Sequence, residues 1–201
     1  MVEISKINFY DKKTIDEIVT IHLATFKGFF LTFLGAGFLR QMYRSYSEFN
    51  DSGILIAQEK GQVVGFLAYS GDLSGLYKYM IKKRLFFFAW YAMGAFIRKP
   101  KVFMRLVRAF LKPGESKRTE KYVELASIGV DPTMKSKGIG SQLIEHFKNM
   151  VDFTQYKYIK LETDAVDNEV ANHFYIKNGF VLINTYATPE GRMMNEYHFA
   201  K

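Results

Sequence analysis

From Lys121 onward the chain alternates short β-branched and aromatic runs with helical apolar stripes, and this alternation constrains the fold more than any other feature. "KYVELASIGV" (121–130) and "YIKLETD" (158–164) have strand composition. Between them, from Gly138 to about Phe153, the residues Ile139, Leu143, Phe147 and Met150 or Val151 recur at helical spacing. A second helix is expected from Asn168 to Asn178, ended by Gly179, followed by the strands "FVLINTY" and "MNEYHFA". Upstream, "GILIAQEKGQVVGFLAYS" is two apolar runs around Glu59–Gln62 and predicts a β-hairpin. Earlier still, Thr14 stands as N-cap before a stripe of Ile15, Ile18, Val19, His22 and Phe26, and a further helix is expected from about Ala36 to Tyr46. The pattern predicts an α/β (mixed, α+β-like) fold with a central mixed sheet flanked by helices.

At 201 residues and 48% hydrophobic, the chain is long enough to bury a core, and one domain over residues 1–201 is expected. The absence of cysteine excludes disulfides, thiolate nucleophiles and cysteine-based metal sites. The four histidines show no ligand spacing, so no metal is expected. "MVEISKINFYDKK" has no basic region leading into an apolar one, which points to a cytoplasmic protein whose first residues belong to the fold.

The net charge of +8 is unevenly spread. Residues 76–118 contain twelve Lys and Arg against Glu115 alone, so the rest of the chain is slightly acidic. This segment is aromatic and helical in period, is divided by Pro100 and closes at Pro113-Gly114, and so predicts an inserted helical pair. Its uncharged run from Leu85 to Ile97 would make a helix of about 20 Å, too short for a hydrocarbon core of about 30 Å. Two placements follow: packing against the sheet where the flanking strands deliver it, beside the strand of Glu124, which is preferred here, or peripheral membrane contact. A nucleic-acid partner is not expected, because the run is too apolar for a phosphate-tracking surface.

"DPTMKSKGIGSQLIEHF" (131–147) places Gly138 and Gly140 where a strand gives way to a helix, with Lys135 and Lys137 beside them. Free backbone N–H groups and the positive end of the helix dipole meet there, an arrangement suited to an anion. Glycine admits phosphate oxygens to the amides, although the same glycines could simply ease a tight turn. Neither the three-glycine dinucleotide spacing nor the G-x-x-x-x-G-K-[ST] loop is present.

"KSKGIG" resembles the acyl-CoA pyrophosphate loop of the GNAT superfamily of N-acetyltransferases, with Lys135 where Gln or Arg is usual. "NEVANHFYIKNGF" is similar to that family's N-x-x-A-x-x-x-Y-x-x-x-G-F segment, with Asn168, Ala171, Tyr175, Gly179 and Phe180 in register. The resemblance covers residues 1–75 by layout and 119–201 by layout and motif. It implies a GNAT-type sheet, with acetyl-CoA (coenzyme A) held by the backbone around Lys135, Lys137, Gly138, Ile139, Gly140 and Ser141. Contacts to the cofactor from Ile128, Val130 and Asn168 are also implied, Asn168 having a plain reading as a helix N-cap as well.

The chemistry implied is transfer of acetyl to the primary amine of a small-molecule acceptor, for which an amino sugar nucleotide is one candidate. A protein N-terminus, or a non-catalytic module binding anionic surfaces, are the alternatives. Tyr175 stands where many family members place a general acid; otherwise it is a packed aromatic beside Val170, Ala171 and Phe174. Glu124 stands at the offset of the glutamate base in some members. On an alternating strand it would share a face with Ala126, Ile128 and Val130, where apolar neighbours would raise its pKa. It could instead pair with a cation of the insertion, leaving ordered water as the base.

Overall fold

In the computed structural model, the described residues are 2–7, 9–98, 120–134, 137–189 and 191–201. Lys135 and residues 99–119, the second half of the basic insertion, lie outside them. Seven strands form one sheet: β1 (Glu3–Lys6), β2 (Ser52–Glu59), β3 (Gln62–Ser70), β4 (Tyr122–Val130), β5 (Tyr158–Asp164), β6 (Val181–Ala187) and β7 (Met193–Phe199). Their order is β1-β2-β3-β4-β5-β7-β6. All neighbours are antiparallel except β4 and β5, whose parallel pairing needs the crossover that a helix supplies. The mixed sheet expected from the alternation is present.

Six helices are described: α1 (Lys12–Thr25), α2 (Phe30–Leu34), α3 (Ala36–Glu48), α4 (Leu73–Arg98), α5 (Ile139–Met150) and α6 (Glu169–Lys177). The hairpin β2–β3 turns at Lys60 and Gly61, both with positive φ, as a two-residue turn matched to strand twist requires. Its strands read as unbroken apolar runs because both faces are covered. Ile54 and Ile56 join Ile15, Leu39, Tyr43, Phe66 and Leu76 on the α1/α3 side. Leu55 and Leu67 join Leu125, Leu143, Phe147 and Ile159 on the α5 side. Each fully buried aliphatic side chain of this kind stabilises the fold by about 1.5–3 kcal/mol.

Two local readings change. β1, which the sequence reading does not assign, pairs along β2 from Glu3 opposite Gln58 to Lys6 opposite Leu55. α1 starts before Thr14: Asp11 is its N-cap and accepts from the Thr14 N–H at 2.8 Å. A carboxylate outcompetes a hydroxyl there because it also meets the positive helix end, and those bonds hold the Asp11 pKa down.

The insertion is described as far as Arg98, and the second helix of the predicted pair lies outside the described residues. Its described part is the single helix α4, whose first turns place Leu76 and Met80 in the core. Its later half lies along α2 and α3. There Phe88 packs on Phe38, with ring centroids 4.7 Å apart. Arg84 is buried between these helices, donating to Ser45 Oγ at 3.0 Å and to Glu48, which also accepts from Arg44 and Tyr79. One of the insertion's cations is thereby committed to structure.

His22 on α1 is 3% exposed; its Nδ1 meets the Tyr43 hydroxyl at 2.7 Å, while Nε2 is buried without a partner among the described residues. Burial lowers its pKa from 6.5 to about 4. The unfolded chain therefore takes up a proton below pH 6.5 that the folded chain refuses until about pH 4. Stability contributed by neutral His22 is complete above pH 6.5 and falls by about 3 kcal/mol as pH drops through this window. Urea melts from pH 7 to pH 4 should show this loss, and His22→Gln, which cannot titrate, should show a shallower slope than wild type whatever its absolute stability.

Candidate active site

β4 is paired unequally on its two sides. Against β3 it is paired from Glu124 through Val130, but against β5 only from Tyr122 to Glu124. Beyond Glu124 the two parallel strands part, leaving one edge of residues 125–130 facing an opening between them. The Asp131 N–H donates to the Val64 carbonyl on the β3 side, at 2.9 Å. Strand alternation then turns the N–H groups of Ile128 and Val130 toward the opening. The Val130 carbonyl accepts from Thr25 Oγ1 at 3.1 Å, so the end of α1 closes one wall.

A register shift in β4 corrects one expectation. Tyr69 pairs with Leu125 but Ala68 pairs with Ser127, so Ala126 is an extra residue and the side-chain alternation slips by one. Val123 and Leu125 before the bulge, and Ile128 and Val130 after it, all face α5. Glu124 therefore does not share a face with Ile128 and Val130. It faces the opposite side, as does Ser127, whose Oγ lies 3.4 Å from the Tyr43 hydroxyl.

Glu124 is buried, and its partner is Lys160 of β5 at 3.3 Å, where the sequence reading considered only a cation of the insertion. Burial pushes its carboxyl up to about 7; Lys160 pulls the other way, and Glu162 and Glu196 add to the rise. Lys160 is desolvated too, which alone would lower its pKa, but Glu124 and Glu162, the latter at 2.7 Å, hold it above the usual lysine range. The raised carboxyl expected at Glu124 is present, with burial as its main cause, and the tyrosines Tyr46 and Tyr77 are coupled to it.

On the α5 side, Gly138 is the N-cap at φ 73°, with no side-chain cap. The first intrahelical bond is from the Gln142 N–H to the Gly138 carbonyl, so the N–H groups of Ile139, Gly140 and Ser141 have no acceptor among the described residues. The two glycines serve different ends. A side chain on Gly138 would meet only Gln142, 4.0 Å away, so this glycine is demanded by its left-handed backbone and leaves the amides open. A Cβ on Gly140 would come within 3.1 Å of Phe174, so that glycine lets α6 approach α5. Lys137 is exposed beside them, its Nζ 3.4 Å from Met134 Sδ.

Tyr175 on α6 packs against Phe180 and Tyr197, each with ring centroids 6.0 Å away, on the face opposite Glu124. Its hydroxyl has no hydrogen-bond partner among the described residues, and burial pushes its pKa up to about 12. Val170 is 87% exposed, so α6 is anchored by Phe174 and Tyr175 and not by Val170. Asn168 takes the N-cap position without capping: its amide turns back to Thr163 Oγ1 at 2.7 Å and to the Asp164 carbonyl at 3.1 Å, tying α6 to the end of β5. Gly179 has φ 77° and ends the helix as expected. The site residues that the sequence reading missed are Lys160, Thr25, Ser127 and Tyr43. Lys160 is placed beside Glu124 by the parallel register of β4 and β5, and Thr25 and Tyr43 arrive from distant helices.

Across residues 16–180 the sequence matches the Acetyltransferase (GNAT) family. No curated protein matches it at the sequence level. Among solved structures, a GNAT-family protein from Desulfovibrio desulfuricans is 13% identical with a TM-score of 0.65, the similarity covering 100% of this chain and 99% of that one. The polyamine N-acetyltransferase of Drosophila melanogaster is 12% identical with a TM-score of 0.58, covering 100% of both chains. A Bacillus anthracis acetyltransferase solved with acetyl coenzyme A is 18% identical with a TM-score of 0.51, covering 79% of this chain and 68% of that one. With the family match spanning most of the sequence and the same fold recurring in these structures, the chain belongs to the GNAT family of acetyltransferases, whose acyl donor is acetyl-CoA.

Proposed function

We propose that this protein is an N-acetyltransferase that moves an acetyl group from acetyl-CoA to the primary amine of a small acceptor. The observation that carries this reading is the parting of β4 from β5 directly beside the open N-terminus of α5. The residues present fit the donor: the amides of Ile139, Gly140 and Ser141 suit a pyrophosphate, and Lys137, with Lys135 by resemblance, adds charge. The outward N–H groups of Ile128 and Val130 suit the arm of the cofactor and the thioester oxygen. When bound, acetyl-CoA supplies an activated thioester carbonyl. One oxyanion donor aimed there contributes up to about 3–4 kcal/mol.

Glu124 and Tyr175 approach from opposite faces of the sheet, as a base and a donor on either side of one carbonyl must. An alkylammonium of pKa about 10 giving its proton to a carboxylate at 7 climbs about 4 kcal/mol, against about 8 kcal/mol for an ordinary glutamate. The proton passes to Glu124 directly or through water. Tyr175, protonated at neutral pH, donates to the departing sulfur. Full transfer from a phenol at 12 to a thiolate of pKa about 8.5 is uphill by roughly 5 kcal/mol, so its role is a hydrogen bond that strengthens as the C–S bond breaks. Asn168 holds the end of β5 beside the opening.

The acceptor class follows from charge. The Drosophila relative is a polyamine N-acetyltransferase, but a chain of net charge +8 repels a polycation at long range and attracts an anion. A phosphate-bearing amine such as an amino sugar nucleotide suits it better, its ammonium drawn to the carboxylates around Lys160. Thiol release from acetyl-CoA with amino sugar nucleotides, polyamines and peptide N-termini tests this; turnover confined to polyamines or peptides would overturn the acceptor assignment.

Gly138→Val should cost about 1–3 kcal/mol through its left-handed backbone yet leave a folded protein that acetyl-CoA no longer protects from thermal unfolding. Wild-type protection in that variant would count against the pyrophosphate site. In single-turnover assays Tyr175→Phe should slow acetyl transfer by roughly a hundredfold with little change in acetyl-CoA affinity. Glu124→Gln should lower the rate and remove the rise in activity through pH 7 that an ionising Glu124 gives the wild type; a pH profile unaltered by this change would exclude Glu124 as the base.

A further inference from the structure

The later half of α4 has a second apolar face. Helical spacing places Leu85, Phe86, Trp90, Met93 and Ile97 away from Leu76, Met80, Arg84 and Phe88, which meet the core and α3. Phe86 is 76% exposed, Trp90 64% and Ile97 75%. Lys78, Lys82 and Lys83, one to two turns before this patch, are exposed as well. Contiguous exposed aromatics of this extent on a helix mark a surface that is covered in use. No helix among the described residues is long and apolar enough to cross a membrane.

We propose that this face of α4 docks the protein on a lipid bilayer bearing anionic headgroups, the helix lying in the plane of the interface. Trp and Phe at the acyl boundary, with lysines among the headgroups, is the arrangement by which interfacial helices hold a bilayer. Charge selects this occupant over the others. Residues 76–118 carry twelve cations against one acid, and of Lys78, Lys82, Lys83 and Arg84 only Arg84 forms an ion pair among the described residues. A second copy seated face to face would bring two such segments together across a contact of low dielectric. Nucleic acid would meet aromatic and aliphatic side chains where its phosphates need cations. Anionic lipid accepts both the apolar patch and the charge beside it.

The chain contains a single tryptophan, Trp90, so its fluorescence reports the contact directly. Full-length protein should show a blue-shifted emission and sediment with vesicles of equimolar phosphatidylcholine and phosphatidylglycerol, but not with phosphatidylcholine alone, and added salt should weaken both effects. Phe86→Ser should lower the partition coefficient roughly tenfold, and Lys82→Gln about fivefold, without shifting the thermal midpoint, because both side chains are exposed. Absence of both emission shift and sedimentation overturns the proposal. So does a blue shift that depends on protein concentration without lipid, which would assign the face to a second copy, or binding to duplex DNA in preference to the anionic vesicles.

Discussion

One extra residue in β4 organises the site. Ala126 bulges from the ladder with β3, and the slip it introduces lets a single strand serve both faces of the sheet in turn. Before it, Glu124 faces α3 and α4; after it, Ile128 and Val130 pack toward α5, and their N–H groups face the opening. A regular strand with Ile128 facing α5 would place residue 124 in the same aliphatic layer, where a carboxylate would have neither Lys160 nor the tyrosines around it. Bulges also add local twist, in keeping with β4 following β3 to Val130 while leaving β5 after Glu124.

The electrostatics follow from that placement. Two carboxylates, the buried Glu124 and the more exposed Glu162, share one ammonium, Lys160, and Glu196 stands near enough to add to the rise at Glu124. Lys160 is drawn most closely to Glu162, at 2.7 Å against 3.3 Å for Glu124. Removing Lys160 would leave the buried Glu124 without its ion-pair partner, the kind of loss that costs several kcal/mol where exposed pairs cost little. The arrangement keeps one carboxyl poised near neutrality beside a permanent positive charge.

Much of this was legible in the sequence. The hairpin, the helix after Gly138 and the Tyr175 helix follow from periodicity and from glycines whose positive φ has a local cause. The bulge was not legible, because "VELASIGV" alternates as plausibly with Ala126 in the ladder as out of it, and only pairing with β3 decides. Lys160 could have been placed opposite Glu124 only once the parallel register was known. Thr14 misled because a hydroxyl cap is plausible on its own, while Asp11 wins through charge. For α4, apolar residues on every side signal burial in any single sequence window, and the pattern does not say which face meets protein.

That last ambiguity is one the fold itself has to resolve. A helix apolar all round gains much the same from burying any of its sides, so the hydrophobic effect, having no direction, leaves its rotation about its own axis undetermined. Arg84 supplies the missing phase. A buried guanidinium must find Ser45 and Glu48 or remain desolvated without partners, and it can reach them from one angular setting only. The ion pair thus acts as a key on a shaft, choosing which aromatics become core and which are turned outward.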